Sequence, residues 1–266
     1  MGAGQPKLSG PAAVPERARA SSATSKDFDV VELAAEITLP VMLEIDTAHG
    51  VARAHLHVAA PARGALVLGH GAGGGVSAPD LLLAAEIAGG LGLSVALVEQ
   101  PYRVAGRRST PATHILDAAW IPVIEQLRAG PLAGLPMVTG GRSAGARVAC
   151  RTAASVGAAA VLCLAFPLVA PSGKSRQDEL DGVAVPVLVV QGDRDRFGVP
   201  EPAGLREVAV IRGDHGLKSD REGLRSAVGA WLAALPILRQ HGVAGVVAET
   251  PADPPGGRVP RRRIGG

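Results

Sequence analysis

Aromatic side chains are almost missing from this 266-residue sequence: three Phe, two Trp and one Tyr, 2% of the chain. Binders of single-stranded nucleic acid stack bases on aromatic platforms, so this scarcity argues against that class. Cysteine is equally sparse. Cys150 and Cys163 form neither a Cys-x-x-Cys pair nor any metal-ligand spacing, and two are too few for a disulfide framework. Both are expected as buried thiols of a reducing compartment. No run approaches the ~18 uninterrupted apolar residues of a membrane span, and the first residues lack the apolar stretch of a secretory signal. An excess of one charge is also lacking. The formal net charge is +3 despite a pI near 9.2, and the basic residues are scattered except at Arg261 to Arg263. The expectation is a cytoplasmic protein with no nucleic-acid and no membrane partner.

What is present is ample core material, 47% hydrophobic, drawn from Ala, Val and Leu. Residues 1–28 and 241–266 are rich in Pro, Gly, Ala, Ser or Arg without periodicity, which predicts a disordered leader and a flexible tail around one domain over 29–240. Within it, strands are expected at Met42 to Ile45 and Val51 to Val58. Then come Ala65 to Leu68 (strand), Pro79 to Leu91 (helix capped by Ser77), Val95 to Val98 (strand) and Ala112 to Leu127 (helix). Met137 to Thr139 and Ala159 to Ala165 read as strands flanking a helix at Ala144 to Ser155. Val187 to Val190 and Val208 to Ile211 read as strands, and Asp220 to Leu235 as a closing helix. Two leading strands followed by alternation is the order of an α/β protein with a mostly parallel sheet.

"GHGAGG", Gly69 to Gly74, satisfies the Gly-x-Gly-x-x-Gly pattern after a strand, which makes a dinucleotide site a rival reading. Three features weigh against it. The helix starts several residues too late for its N–H groups to meet a pyrophosphate. Glu99 lies beyond the usual ~20 residues, and His70 would crowd the phosphates. "GKS" at Gly173 to Ser175 is no P-loop, because Leu168 stands where its first glycine belongs.

The informative stretch is "MVTGGRSAGARVAC", Met137 to Cys150. Gly-x-Ser-x-Gly-like spacing is weak by itself in a chain with 35 glycines. Its setting, between an expected strand and an expected helix, is the one a nucleophile elbow needs: small neighbours let the backbone turn sharply and project the Ser143 hydroxyl. An acid follows a later strand in "VPVLVVQGDRD", either Asp195 or Asp193, with Asp195 favoured. A histidine, His215, follows the next in "VAVIRGDHGLK". The chain order Ser143, acid, His215 is the nucleophile–acid–base order of one large enzyme architecture, with each group at a strand's C-terminal end. Only 20 positions separate Asp195 from His215, so a stunted helix is expected between their strands.

On "LGHGAGGG", "GGRSAGAR", "LVVQGDRDRFG" and "GDHGLK", the chain resembles α/β-hydrolases of the cap-less, dienelactone-hydrolase-like branch. It is similar to the small family that includes a regulatory subunit of the NSL histone-acetyltransferase complex and its bacterial relatives. The resemblance implies an α/β-hydrolase fold, a mostly parallel central sheet flanked by helices with no substantial cap domain. It also implies an oxyanion hole of two backbone N–H groups, carried here to Ala72 and Ala144.

The expected activity is serine hydrolysis of small esters or thioesters, with Ser143, Asp195 and His215 as catalytic residues and no metal or cofactor. His70, Gly71, Arg142 and Arg108 are candidate substrate contacts. His70 is expected to shape the oxyanion loop, and one of Arg103, Arg107 or Arg108 to meet a substrate anion. Arg142 and Arg147 are also read as pairing with backbone or acids. The partner is then a small-molecule ester or thioester, and the protein a monomer or homodimer. A catalytically silent hydrolase-fold scaffold is the alternative, although such a scaffold has no use for all three triad members.

Overall fold

A computed structural model describes residues 41–240. The expected leader, the first residues of the expected domain and the expected tail lie outside the described residues. The chain opens with a hairpin of β1 (Val41–Thr47) and β2 (Gly50–His57), paired antiparallel around the turn at 48–49. Then follow β3 (Gly64–Gly69), α1 (Pro79–Gly90), β4 (Leu93–Glu99), the short α2 (Pro101–Val104) and α3 (Thr113–Ala129). Next are β5 (Met137–Arg142), α4 (Ala144–Thr152), β6 (Ala160–Leu164), α5 (Gln177–Asp181) and β7 (Val187–Gly192). The described part closes with β8 (Arg206–Ile211), α6 (Arg221–Ala234) and α7 (Pro236–Gln240).

The strands form one eight-stranded sheet in the order β1-β2-β4-β3-β5-β6-β7-β8. From β4 to β8 every neighbouring pair is parallel, while β2 meets β4 antiparallel. The two faces are separated by the period-two alternation of the strands. On β3, Ala65 and Val67 join a core with Trp120, Val123 and Leu127 of α3 and Ala146 and Ala149 of α4. Leu66 and Leu68 join the opposite core with Leu81 and Leu83 of α1 and Leu224, Val228 and Trp231 of α6. Because both faces are covered, the central strands read as continuous apolar runs.

Three local expectations are corrected. Ser77 does not cap α1. The N-cap is Ala78, which offers no side-chain acceptor, and Pro79 opens the helix where a missing N–H does no harm. Asp220 is the cap of α6 and not its first turn, accepting from the Gly223 N–H at 2.8 Å. Between β7 and β8 no helix forms at all: residues 193–205 cross as loop, tightened by the Ala203–Arg206 bridge. Residues 165–186, between β6 and β7, hold only the five-residue α5, so among the described residues no cap domain stands over the sheet. Cys150 and Cys163 are free and buried with Sγ atoms 3.4 Å apart; their contact and burial hold the Cys163 thiol well above the usual thiol range.

Candidate active site

Ser143 follows the central strand β5 and immediately precedes α4. Its φ of 53° and ψ of −106° lie where a side chain costs conformational energy. Two tight approaches make this turn obligatory. A Cβ on Gly141 or on Gly145 would overlap the Gly69 carbonyl oxygen of neighbouring β3, so only glycine lets α4 sit against that strand. The Ser143 N–H is tied to the Leu164 carbonyl at the end of β6, at 2.9 Å. The elbow is thus held from both sides.

The Ser143 hydroxyl lies 2.9 Å from His215 Nε2, and His215 Nδ1 lies 2.7 Å from Asp195 Oδ2. A carboxylate can only accept, so Nδ1 carries the proton and Nε2 is free to accept from the serine. The structure thus brings Ser143, His215 and Asp195 into one hydrogen-bonded chain. Asp193 is elsewhere: it is exposed, and its Oδ1 accepts from the Gly213 N–H at 2.8 Å.

Asp195 itself is fully enclosed, with a side-chain exposure of 0%. Its Oδ1 accepts the Phe197 N–H at 2.9 Å, and Oδ2 also accepts from Gln191 Nε2 at 2.7 Å. The Gln191 amide reaches the carbonyls of Phe166 and Gly198 as well, at 3.0 and 2.9 Å, so it pins the acid's loop to two other segments. The Phe197 ring stands edge-on to His215, with centroids 4.7 Å apart.

Ala72 and Ala144 border the same cavity, about 200 Å³, as Ser143. Ala144 is the first residue of α4, and its N–H has no acceptor within the helix. Among the described residues the Ala72 N–H likewise meets no protein acceptor. The Ala72 loop is steadied by Tyr102, whose hydroxyl donates to the Ala72 carbonyl at 3.3 Å.

A family model described as an alpha/beta hydrolase domain matches residues 62–229, more than half of the chain. The chain belongs to the α/β-hydrolase family. Solved structures agree on the fold. A Xanthomonas campestris protein, XC6422, described as a serine hydrolase without a lid, is 20% identical with a TM-score of 0.64, over 75% of this chain and 96% of that one. Dienelactone hydrolase from Anabaena variabilis is 19% identical, with a TM-score of 0.60 over 74% and 97%. An esterase of Pyrococcus furiosus, PF2001, is 14% identical, with a TM-score of 0.59 over 74% and 91%. No curated protein matches the sequence.

The expected substrate contacts of this hydrolase fall outside that cavity. His70 is buried: its Nδ1–H donates to the Gly71 carbonyl at 2.9 Å and its Nε2 accepts the Gln100 N–H at 3.1 Å. Burial pushes its pKa below the ordinary histidine value, which favours the neutral ring, and the Gln100 N–H at Nε2 sets this tautomer. Gly71 lies against Arg142 and Ser143, close enough that an added Cβ would sit 3.0 Å from Arg142 Nη1. Arg142 is engaged by the protein. Its Nε is 2.7 Å from Asp80 Oδ2, a close charge contact rather than an aligned hydrogen bond, and its Nη2 donates to the His215 carbonyl at 3.0 Å. Arg108 is exposed and not part of the cavity wall, and Arg107 borders a separate, larger cavity of about 460 Å³. That larger space shares Pro111 and Leu116 with the first and touches none of Ser143, Asp195 or His215.

The cavity beside Ser143 is instead walled by Arg147 and Arg151 of α4 and by Arg176. Sequence reasoning passed over Arg151 and Arg176, and also Gln191, Phe197 and Asp80. The signal for Arg151 was its four-residue spacing from Arg147, which puts both on one face of a helix starting at the nucleophile. Among the described residues no three His, Cys, Asp or Glu side chains cluster as metal ligands, and no helix is long and apolar enough to cross a membrane.

Proposed function

We propose that this α/β-hydrolase is a serine hydrolase of small esters or thioesters, working through an acyl-enzyme. One observation carries the reading: the hydroxyl of a strained Ser143, His215 and a buried Asp195 stand in an unbroken chain at 2.9 and 2.7 Å. As Ser143 Oγ attacks the carbonyl carbon, its proton passes to His215 Nε2, and Asp195 stabilises the imidazolium through Nδ1. The carbonyl oxygen becomes an oxyanion held by the N–H groups of Ala72 and Ala144; one such donor typically contributes about 3 kcal/mol at the transition state. Collapse breaks the bond to the leaving alcohol or thiol, which takes the proton from His215. A water then repeats the sequence, giving the free acid and restoring Ser143. The kinship with the NSL-subunit family rests on the four motifs alone.

The test is labelling with a fluorophosphonate probe. The wild type is expected to take up one probe per chain and Ser143→Ala none. A folded wild type that stays unlabelled from neutral to alkaline pH overturns the assignment in favour of a silent scaffold.

A further inference from the structure

The walls of the cavity beside Ser143 carry more positive charge than the protein itself neutralises. Arg147 Nε lies 2.8 Å from Glu179 Oε2. Arg151 bridges two acids, with Nε 2.8 Å from Asp117 Oδ2 and Nη1 2.9 Å from Glu179 Oε2. Arg176 makes no ion pair with a carboxylate among the described residues; its Nη1 donates to the Pro167 carbonyl at 2.9 Å. Three guanidinium groups thus face two carboxylates, leaving one positive charge at a half-buried place. Partial burial and the neighbouring Arg147 and Arg151 lower the Arg176 pKa, with Glu179 opposing. An anion arriving there would relieve that repulsion. The pairs with Glu179 and Asp117 meanwhile hold Arg147 and Arg151 in place, so the fork is ordered before a ligand enters.

We infer that the substrate carries a carboxylate bound by Arg176, flanked by Arg147 and Arg151, at the end remote from the scissile bond: a short half-ester of a dicarboxylic acid. This rests on the serine-hydrolase reading. The planar guanidinium matches a carboxylate with two parallel hydrogen bonds, which a neutral acyl chain cannot return. About 200 Å³ is below the range of pockets for drug-sized ligands and suits a short chain. Selectivity follows from the same charge, because a neutral ester leaves the excess cation uncompensated.

The experiment compares monomethyl glutarate with methyl pentanoate, chains of equal length, by pH-stat titration, alongside calorimetry with free glutarate. In the wild type the half-ester should have the higher kcat/KM. Arg176→Gln keeps a donor for the Pro167 carbonyl and removes the charge. It should lower the ratio of half-ester to neutral-ester kcat/KM at least about tenfold, mainly through KM, with Arg176→Lys between the two. Equal use of both esters by the wild type, or a ratio that Arg176→Gln leaves unmoved, overturns the inference and leaves the hydrolase reading standing. If neither ester is cleaved, glutarate binding weakened tenfold or more by Arg176→Gln supports the anion site while the hydrolase reading falls. Absence of glutarate binding in that case overturns the inference too.

Discussion

Arg142 donates from Nη2 to the backbone carbonyl of His215 at 3.0 Å, so the residue before the nucleophile grips the loop that carries its base. The other side of the same guanidinium lies against Asp80, buried at the start of α1. Burial raises the Asp80 pKa and Arg142 opposes the rise. Leu217, two residues past His215, is buried at a φ of 48° and pins the loop from its far end.

Arg142→Ala should therefore release the His215 loop without removing any group from the cavity wall. Misplacing a base by an ångström can cost on the order of a hundredfold in rate. The expected result is a kcat reduced by about 10- to 100-fold with KM for a small neutral ester little changed. Steady-state kinetics on such an ester checks it; a change confined to KM would place Arg142 against substrate instead.

The backbone order and the three central residues were legible because each depends on local pattern. Apolar runs mark β3, β5 and β7, and Ser143, Asp195 and His215 each sit just past the end of a strand. The choice of Asp195 over Asp193 was less legible, since both follow β7. What separates them is which carboxylate turns inward to Gln191 and Phe197, and that depends on the path of a loop. The arginine cluster was not legible as a site. Arg147, Arg151, Arg176, Asp117 and Glu179 come from three segments that only the packing of α3, α4 and α5 brings together. Arg103, Arg107 and Arg108 do not border the cavity beside Ser143, for a related reason. A loop after β4 points to the site edge of the sheet, but α2 and the turn after it leave Arg107 and Arg108 exposed.

Gln191 is the residue whose removal should separate acid positioning from acid presence. Gln191→Leu keeps most of the volume but leaves the Phe166 and Gly198 carbonyls without their side-chain donor and Asp195 Oδ2 with one bond fewer. Leaving buried acceptors short costs about 1–3 kcal/mol. The midpoint of urea denaturation should fall accordingly, and kcat with it, while fluorophosphonate labelling of Ser143 slows but does not vanish. Complete loss of labelling in a folded variant would show that Gln191 does more than hold the acid.

Gly145→Ala tests the close approach of α4 to β3. The new Cβ would overlap the Gly69 carbonyl, a backbone atom held in the sheet, so no side-chain movement can relieve it. Overpacking of this kind typically costs about 1–3 kcal/mol, and the rigid neighbour argues for the upper end. A domain of this size should then melt roughly 5–10 °C lower by calorimetry. A variant as stable as the wild type would mean that the elbow can move away from β3.

His70 gives the pH dependence of stability a definite sign. Burial lowers its pKa in the folded protein from the ordinary 6.5, whereas the unfolded chain protonates near that value. Below about pH 6.5 the unfolded state binds more protons, so this contribution is complete above pH 6.5 and is lost as the pH falls towards the folded value. A single such group changes stability by up to about 1.4 kcal/mol per pH unit. His70→Leu should be less stable at pH 8, because Gln100 loses the acceptor for its buried N–H, yet its stability should decline less between pH 6.5 and 5. Urea titrations of both proteins at pH 8, 6.5 and 5 measure the difference in slope. Parallel declines would mean that His70 takes up its proton as readily in the folded protein as in the unfolded chain, and its place beneath the Ala72 loop would then have to be more open than these hydrogen bonds allow.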